Sequence, residues 1–121
     1  MPVRLLTDRV MKWPDAEIVR AAATRWAESV GSMRDEVRAI GIFGSYARGD
    51  WGVGSDLDAI IIVDETETPY ERRALVFSLP DLPVPVDLLV YTASEWDLLH
   101  TGGMRRAAEE MVWLYRRNGK R

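Results

Sequence analysis

Cysteine is absent from the 121 residues. That excludes disulfides, thiolate metal ligands and cysteine nucleophiles. Long apolar runs are missing too. Nowhere do 18 consecutive apolar residues occur, so no membrane span is expected. The opening "MPVRLLTDRVMKWPD" lacks the apolar stretch of a signal peptide, and the expected location is the cytoplasm. There is no excess of basic charge: 16 Lys and Arg stand against 19 Asp and Glu, giving a net charge of −3 and a pI near 5.2. A broad electrostatic grip on nucleic acid needs a clustered basic face, so direct nucleic-acid binding is not expected. Internal repeats, low-complexity tracts and obvious linkers are also lacking.

What remains is an ordinary globular composition, 47% hydrophobic and 29% charged. The length predicts a single domain over residues 1–121. Such a domain buries roughly two-thirds of the surface its unfolded chain would expose.

Pro14 and Asp15 read as a helix start. Ile18, Val19, Ala22, Ala23, Trp26 and Val30 recur at helical spacing, predicting a helix from Ala16 to about Met33 with Gly31 marking its end. "VRAIGIFG" is a short β-rich segment, and its glycines suggest close backbone approach. "SYARGD" reads as one or two helical turns, and "LDAIIIV" is the clearest strand. A helix is predicted over Pro69 to Ser78 and a strand over Pro83 to Tyr91. "TASE" has the pattern of a capping box, with Thr92 and Glu95 as reciprocal caps, opening a helix to about Leu99. Met104 to Arg117 reads as a last amphipathic helix. Strands and helices alternate, which predicts a sheet covered by helices.

The stretch "GIFGSYARGDWGVGSDLDAIIIV" carries the chemistry. Side chains on a strand alternate between faces, so Asp56 and Asp58 share one, about 6.5–7 Å apart along the strand. Leu57, Ala59, Ile61 and Val63 take the other face and are expected in the core. In "VPVDLLVY", Val84, Val86, Leu88 and Val90 form one face and Asp87 breaks the other. If the two strands are neighbours, three carboxylates converge on one patch of sheet. Such a cluster repels itself unless cations sit in it. Oxygen-only ligation favours a hard ion such as Mg²⁺. A two-metal site places its ions about 3.5–4 Å apart, a distance such a pair can frame. Just upstream, Gly44-Ser45 at a strand–helix junction frees backbone N–H groups to meet a phosphate. Arg48 either supplies positive charge there or buttresses the loop. Together these make a site for a nucleoside triphosphate.

These residues resemble the nucleotidyltransferase signature of the DNA polymerase β superfamily: Gly44-Ser45, ten intervening residues from Tyr46 to Ser55, then Asp56 and Asp58. The fuller pattern "GSxARG…SDxD" and the small size are similar to the minimal nucleotidyltransferases, the MNT antitoxins. The resemblance implies an α+β, polymerase β-like fold, a mixed β-sheet packed against helices. It implies that Asp56, Asp58 and Asp87 bind two Mg²⁺ ions, Asp87 also helping to deprotonate the attacking hydroxyl. It assigns Gly44, Ser45, Arg48 and Ser55 to the nucleotide. It also implies transfer of AMP from ATP to a protein partner, a HEPN-type toxin, within a toxin–antitoxin pair. The rival reading is a non-catalytic antitoxin that neutralises its partner by occlusion.

Blander readings exist for several residues. Asp56 and Asp58 could be solvated turn residues, Asp87 an edge residue facing water, Ser45 a plain helix cap and Trp51 loop packing. His100 reads as a surface or helix-end residue, and the "RGD" at Arg48–Asp50 carries no weight at three residues. The basic residues Arg105, Arg106, Arg116, Arg117, Lys120 and Arg121 read as a solvated helix face and tail or as a surface for an acidic partner.

Overall fold

The computed structural model describes residues 15–50, 52, 55–77 and 82–117; Pro14, Trp51, Ser78 and the last four residues lie outside them. Helix α1 spans Ala16–Met33, capped by Asp15, whose carboxylate accepts from the Ile18 N–H at 3.0 Å. Strand β1 (Val37–Phe43), helix α2 (Ser45–Arg48) and strand β2 (Leu57–Val63) follow. Next come a short α3 (Tyr70–Arg73) with a 3-10 turn (Ala74–Val76), strand β3 (Val86–Thr92), helices α4 (Ala93–Leu99) and α5 (Arg105–Glu110), and strand β4 (Val112–Arg116).

The four strands form one mixed sheet in the order β3-β2-β1-β4. β1 pairs antiparallel with β2 and β4, while β2 and β3 run parallel. The apolar stripe of α1 (Val19, Ala23, Trp26, Ala27, Val30) buries against Val37, Ile40 and Ile42 of β1 and Leu57, Ala59, Ile61 and Val63 of β2. Both β2 faces are apolar beyond Asp58, since Ile60 and Ile62 are buried as well. That explains why "AIIIV" reads as a continuous apolar run rather than a strict alternation. Val84 and Val90 join the core, and Val86 and Leu88 pack against it. The capping box forms: Thr92 Oγ1 accepts from the Glu95 N–H at 3.1 Å, and Glu95 accepts from the Thr92 N–H at 2.9 Å.

Four expectations need correction. The last amphipathic helix stops at Glu110, and Val112–Arg116 is instead the strand β4 on the edge of β1. The apolar residues fit a helical period, but Val-Trp-Leu-Tyr is a contiguous β-prone run, and the exposed β1 edge pairs with it. An irregularity in this pairing between Ile40 and Gly41 lets Tyr115 lie opposite buried Ile40 while Trp113 lies opposite Gly41. Gly31 does not end α1. It sits within the last turn, two residues before Met33, where a Cβ would run into the Tyr115 ring, whose hydroxyl donates to the Gly31 carbonyl at 3.2 Å. The helix predicted from Pro69 is one α turn plus one 3-10 turn, with Phe77 already extended. The strand predicted from Pro83 begins only at Val86, because prolines 83 and 85 cannot donate to a ladder.

Candidate active site

The turn after β1 is built on Gly44, whose φ of 81° and ψ of −154° suit glycine alone. A Cβ there would collide with the Asp58 carboxylate. β1 and β2 pair at this end, Phe43 opposite Asp58, so the turn and the carboxylate are held face to face. Gly44, not Ser45, occupies the N-cap of α2, and no side chain caps that end. The plain-cap reading of Ser45 therefore does not apply. Its hydroxyl has no hydrogen-bond partner among the described residues. Arg20 of α1 closes the other end of α2, its guanidinium donating to the Tyr46 carbonyl at 3.0 and 3.2 Å and to the Ala47 carbonyl at 3.1 Å. With Tyr46 fully buried, the short helix is anchored to α1 from below.

Asp58 of β2 and Asp87 of β3 are register partners across the parallel pair, so the two carboxylates stand side by side on the sheet face away from α1. Asp56 is exposed immediately before β2. The Asp58 carboxyl titrates above its ordinary value, first through partial burial, then through the negative charges of Asp87 and Asp56. The nearby Arg48 opposes this rise and Glu110 adds to it. Among the described residues, no group of three carboxylate or imidazole side chains is assembled closely enough to hold a metal ion. The donor set still fits a hard divalent cation: it is all carboxylate, and its negative charge is under-compensated.

Arg48 is held by two acids. Its Nε donates to Asp50 at 2.9 Å, and NH1 donates to both oxygens of Glu110 at 3.0 and 3.1 Å. Ser55 closes the intervening loop: its hydroxyl accepts from the Gly52 N–H at 2.8 Å and its own N–H donates to the Gly52 carbonyl at 2.9 Å. An open cleft of about 550 Å³ lies between Gly44, Arg48 and Asp58 on one side and Arg106, Ala107 and Glu110 on the other. That volume is in the range of small-molecule sites.

Sequence reasoning missed Glu110 and Arg20. Glu110 meets the turn from the far end of the chain, and no local pattern links it to Gly44. Arg20 looks like any exposed-face arginine of an amphipathic helix.

Comparison with known proteins identifies the family and the fold. The nucleotidyltransferase domain family model matches residues 25–114, and the chain belongs to that family. A protein of Methanocaldococcus jannaschii, provisionally named a protein adenylyltransferase, is 33% identical over 58 residues. That alignment takes in 48% of this chain and 59% of the relative's length. Two solved structures share the fold. A provisionally named nucleotidyltransferase from Sulfolobus solfataricus superposes with a TM-score of 0.62 at 23% identity, over 90% of this chain and 95% of the other. A toxin–antitoxin complex with AMP-PNP gives 0.51 at 16% identity, over 78% and 74%.

Proposed function

We propose that this chain is a Mg²⁺-dependent nucleotidyltransferase that moves AMP from ATP onto a hydroxyl of a protein partner. The partner we propose is a HEPN-type toxin, and the chain its cytoplasmic antitoxin. The observation that carries the reading is the register pairing of Asp58 with Asp87 beside the Gly44-Ser45 turn, in a chain of this family. The name of the archaeal relative supports the choice of a protein acceptor. The toxin–antitoxin neighbour crystallised with an ATP analogue supports the choice of partner and nucleotide. Among the described residues, no helix is long and apolar enough to cross a membrane.

In this reading Asp56, Asp58 and Asp87 hold two Mg²⁺ ions. When bound, such ions neutralise phosphate charge and align an in-line displacement. The Gly44 and Ser45 N–H groups and the Ser45 hydroxyl donate to the triphosphate. The Asp87 carboxylate takes the proton of the acceptor hydroxyl as its oxygen bonds to the α-phosphorus. The bond to the bridging oxygen breaks and pyrophosphate leaves. Beyond this the protein contributes positioning and electrostatics.

Incubation with α-labelled ATP, Mg²⁺ and the product of the adjacent gene tests the reading. Label should move to the partner, and Asp58→Ala should reduce transfer at least ~100-fold. Neutralisation that survives Asp56→Ala and Asp58→Ala together, with no label transferred by the wild type, would establish the occlusion reading instead.

A further inference from the structure

The phosphate side of the cleft already has an occupant. The Gly44 N–H, the donor at the mouth of the turn, gives its hydrogen bond to Glu110 Oε1 at 2.9 Å. The same carboxylate takes both NH1 contacts from Arg48. Glu110 is the last residue of α5 and its side chain is only 17% exposed, so it is held in the cleft rather than trailing in solvent. It lines the same cleft as the Asp58 carboxylate. A carboxylate placed beside other carboxylates is unfavourable unless cationic and N–H donors compensate it. Here they do, and they are the donors a phosphate oxygen would require.

We propose that Glu110 is a built-in stand-in for phosphate. In the ligand-free chain it fills the cradle and neutralises Arg48, and a nucleotide must displace it to bind. The N–H of Gly44 has one hydrogen to give, so carboxylate and phosphate compete for it. Displacement also returns the Arg48 guanidinium, still tied to Asp50, to the nucleotide side. The proposal rests on reading the cleft as a nucleotide site.

Titration calorimetry with a non-transferable ATP analogue bridged by methylene between the α- and β-phosphates, in the presence of Mg²⁺, separates the two. Glu110→Ala should bind about fivefold more tightly than wild type, the worth of a partly exposed ion pair, with Glu110→Gln between them. Equal or weaker binding by both variants, each with a wild-type melting curve, makes Glu110 a structural tie and overturns the inference while leaving the nucleotide site intact. No binding by wild type or variants removes the nucleotide site and the inference with it. Should the alanine variant fail to fold, the wild type decides. The Gly44 amide and the Arg48 Nη1–H resonances, the two groups that Glu110 holds, should both move as the analogue saturates the site, and resonances that stay in place overturn the inference.

Discussion

Two aspartates bracket β2 and are treated in opposite ways. Asp64, just past the end of the strand, is clamped by Arg117 at 2.7 and 2.9 Å and by Arg38 at 3.1 Å. Its carboxyl titrates below the ordinary range, chiefly through the Arg117 hydrogen bonds. Asp58, at the start of the strand, has acidic neighbours and titrates above that range. The cleft near the Asp64 end is the larger, about 690 Å³, walled by Trp96 and Trp113 with Arg116 over the Trp113 ring at 5.3 Å. Size therefore does not single out the proposed reactive end. Unbalanced charge sets it apart: Asp64 is paired with two arginines, whereas Asp58 and Asp87 make no ion pair among the described residues and, in the proposed reading, await a cation.

Substitutions can break that contrast. The largest effect belongs to Gly44→Ala. It forces a side chain into a backbone conformation with positive φ and drives a methyl group into the Asp58 carboxylate. A loss of about 2 kcal/mol in urea unfolding is expected, along with loss of nucleotide binding. Asp64→Asn comes next, at about 1 kcal/mol at pH 7. Because the folded-state value of Asp64 is depressed, its contribution is complete above the ordinary value of 3.8 and is lost as pH falls through the lower one. The gap between Asp64→Asn and wild type should therefore close in acid melts below about pH 4. Asp58→Asn is the smallest and has the opposite sign. The folded protein resists ionising this carboxyl, so the penalty is absent at low pH and appears as pH rises through the elevated value. In metal-free, chelated buffer at pH 7 the variant should melt slightly above wild type, by less than about 0.5 kcal/mol after solvent screening. Destabilisation there would mean that Asp58 has a protein partner and is not held in reserve for a ligand.

The Gly44–Asp58 stretch could be read from sequence because its geometry is local. The turn and the first carboxylates lie within fifteen residues; strand alternation aims Asp87 at the same face only once β2 and β3 are known to be neighbours, which the parallel pairing supplies. Gly31 and Glu110 could not be read that way. Gly31 looks like a helix stop until Tyr115 is seen to lean on it. Glu110 gains its meaning from a hydrogen bond to a backbone N–H 66 residues away. β4 was hidden for a different reason: its apolar residues satisfy helical spacing and a strand equally, and the choice falls to the vacant side of β1.

β3 lies at the rim of the sheet, with β2 as its one hydrogen-bonded neighbour among the described strands. The proposed reaction centre thus straddles a seam between an interior strand and an outermost one. Outer strands open at lower cost than the interior they flank. A transient loosening of that rim would part Asp87 from Asp58 while the helix-backed interior stayed whole, so the proposed chemistry is more fragile than the fold.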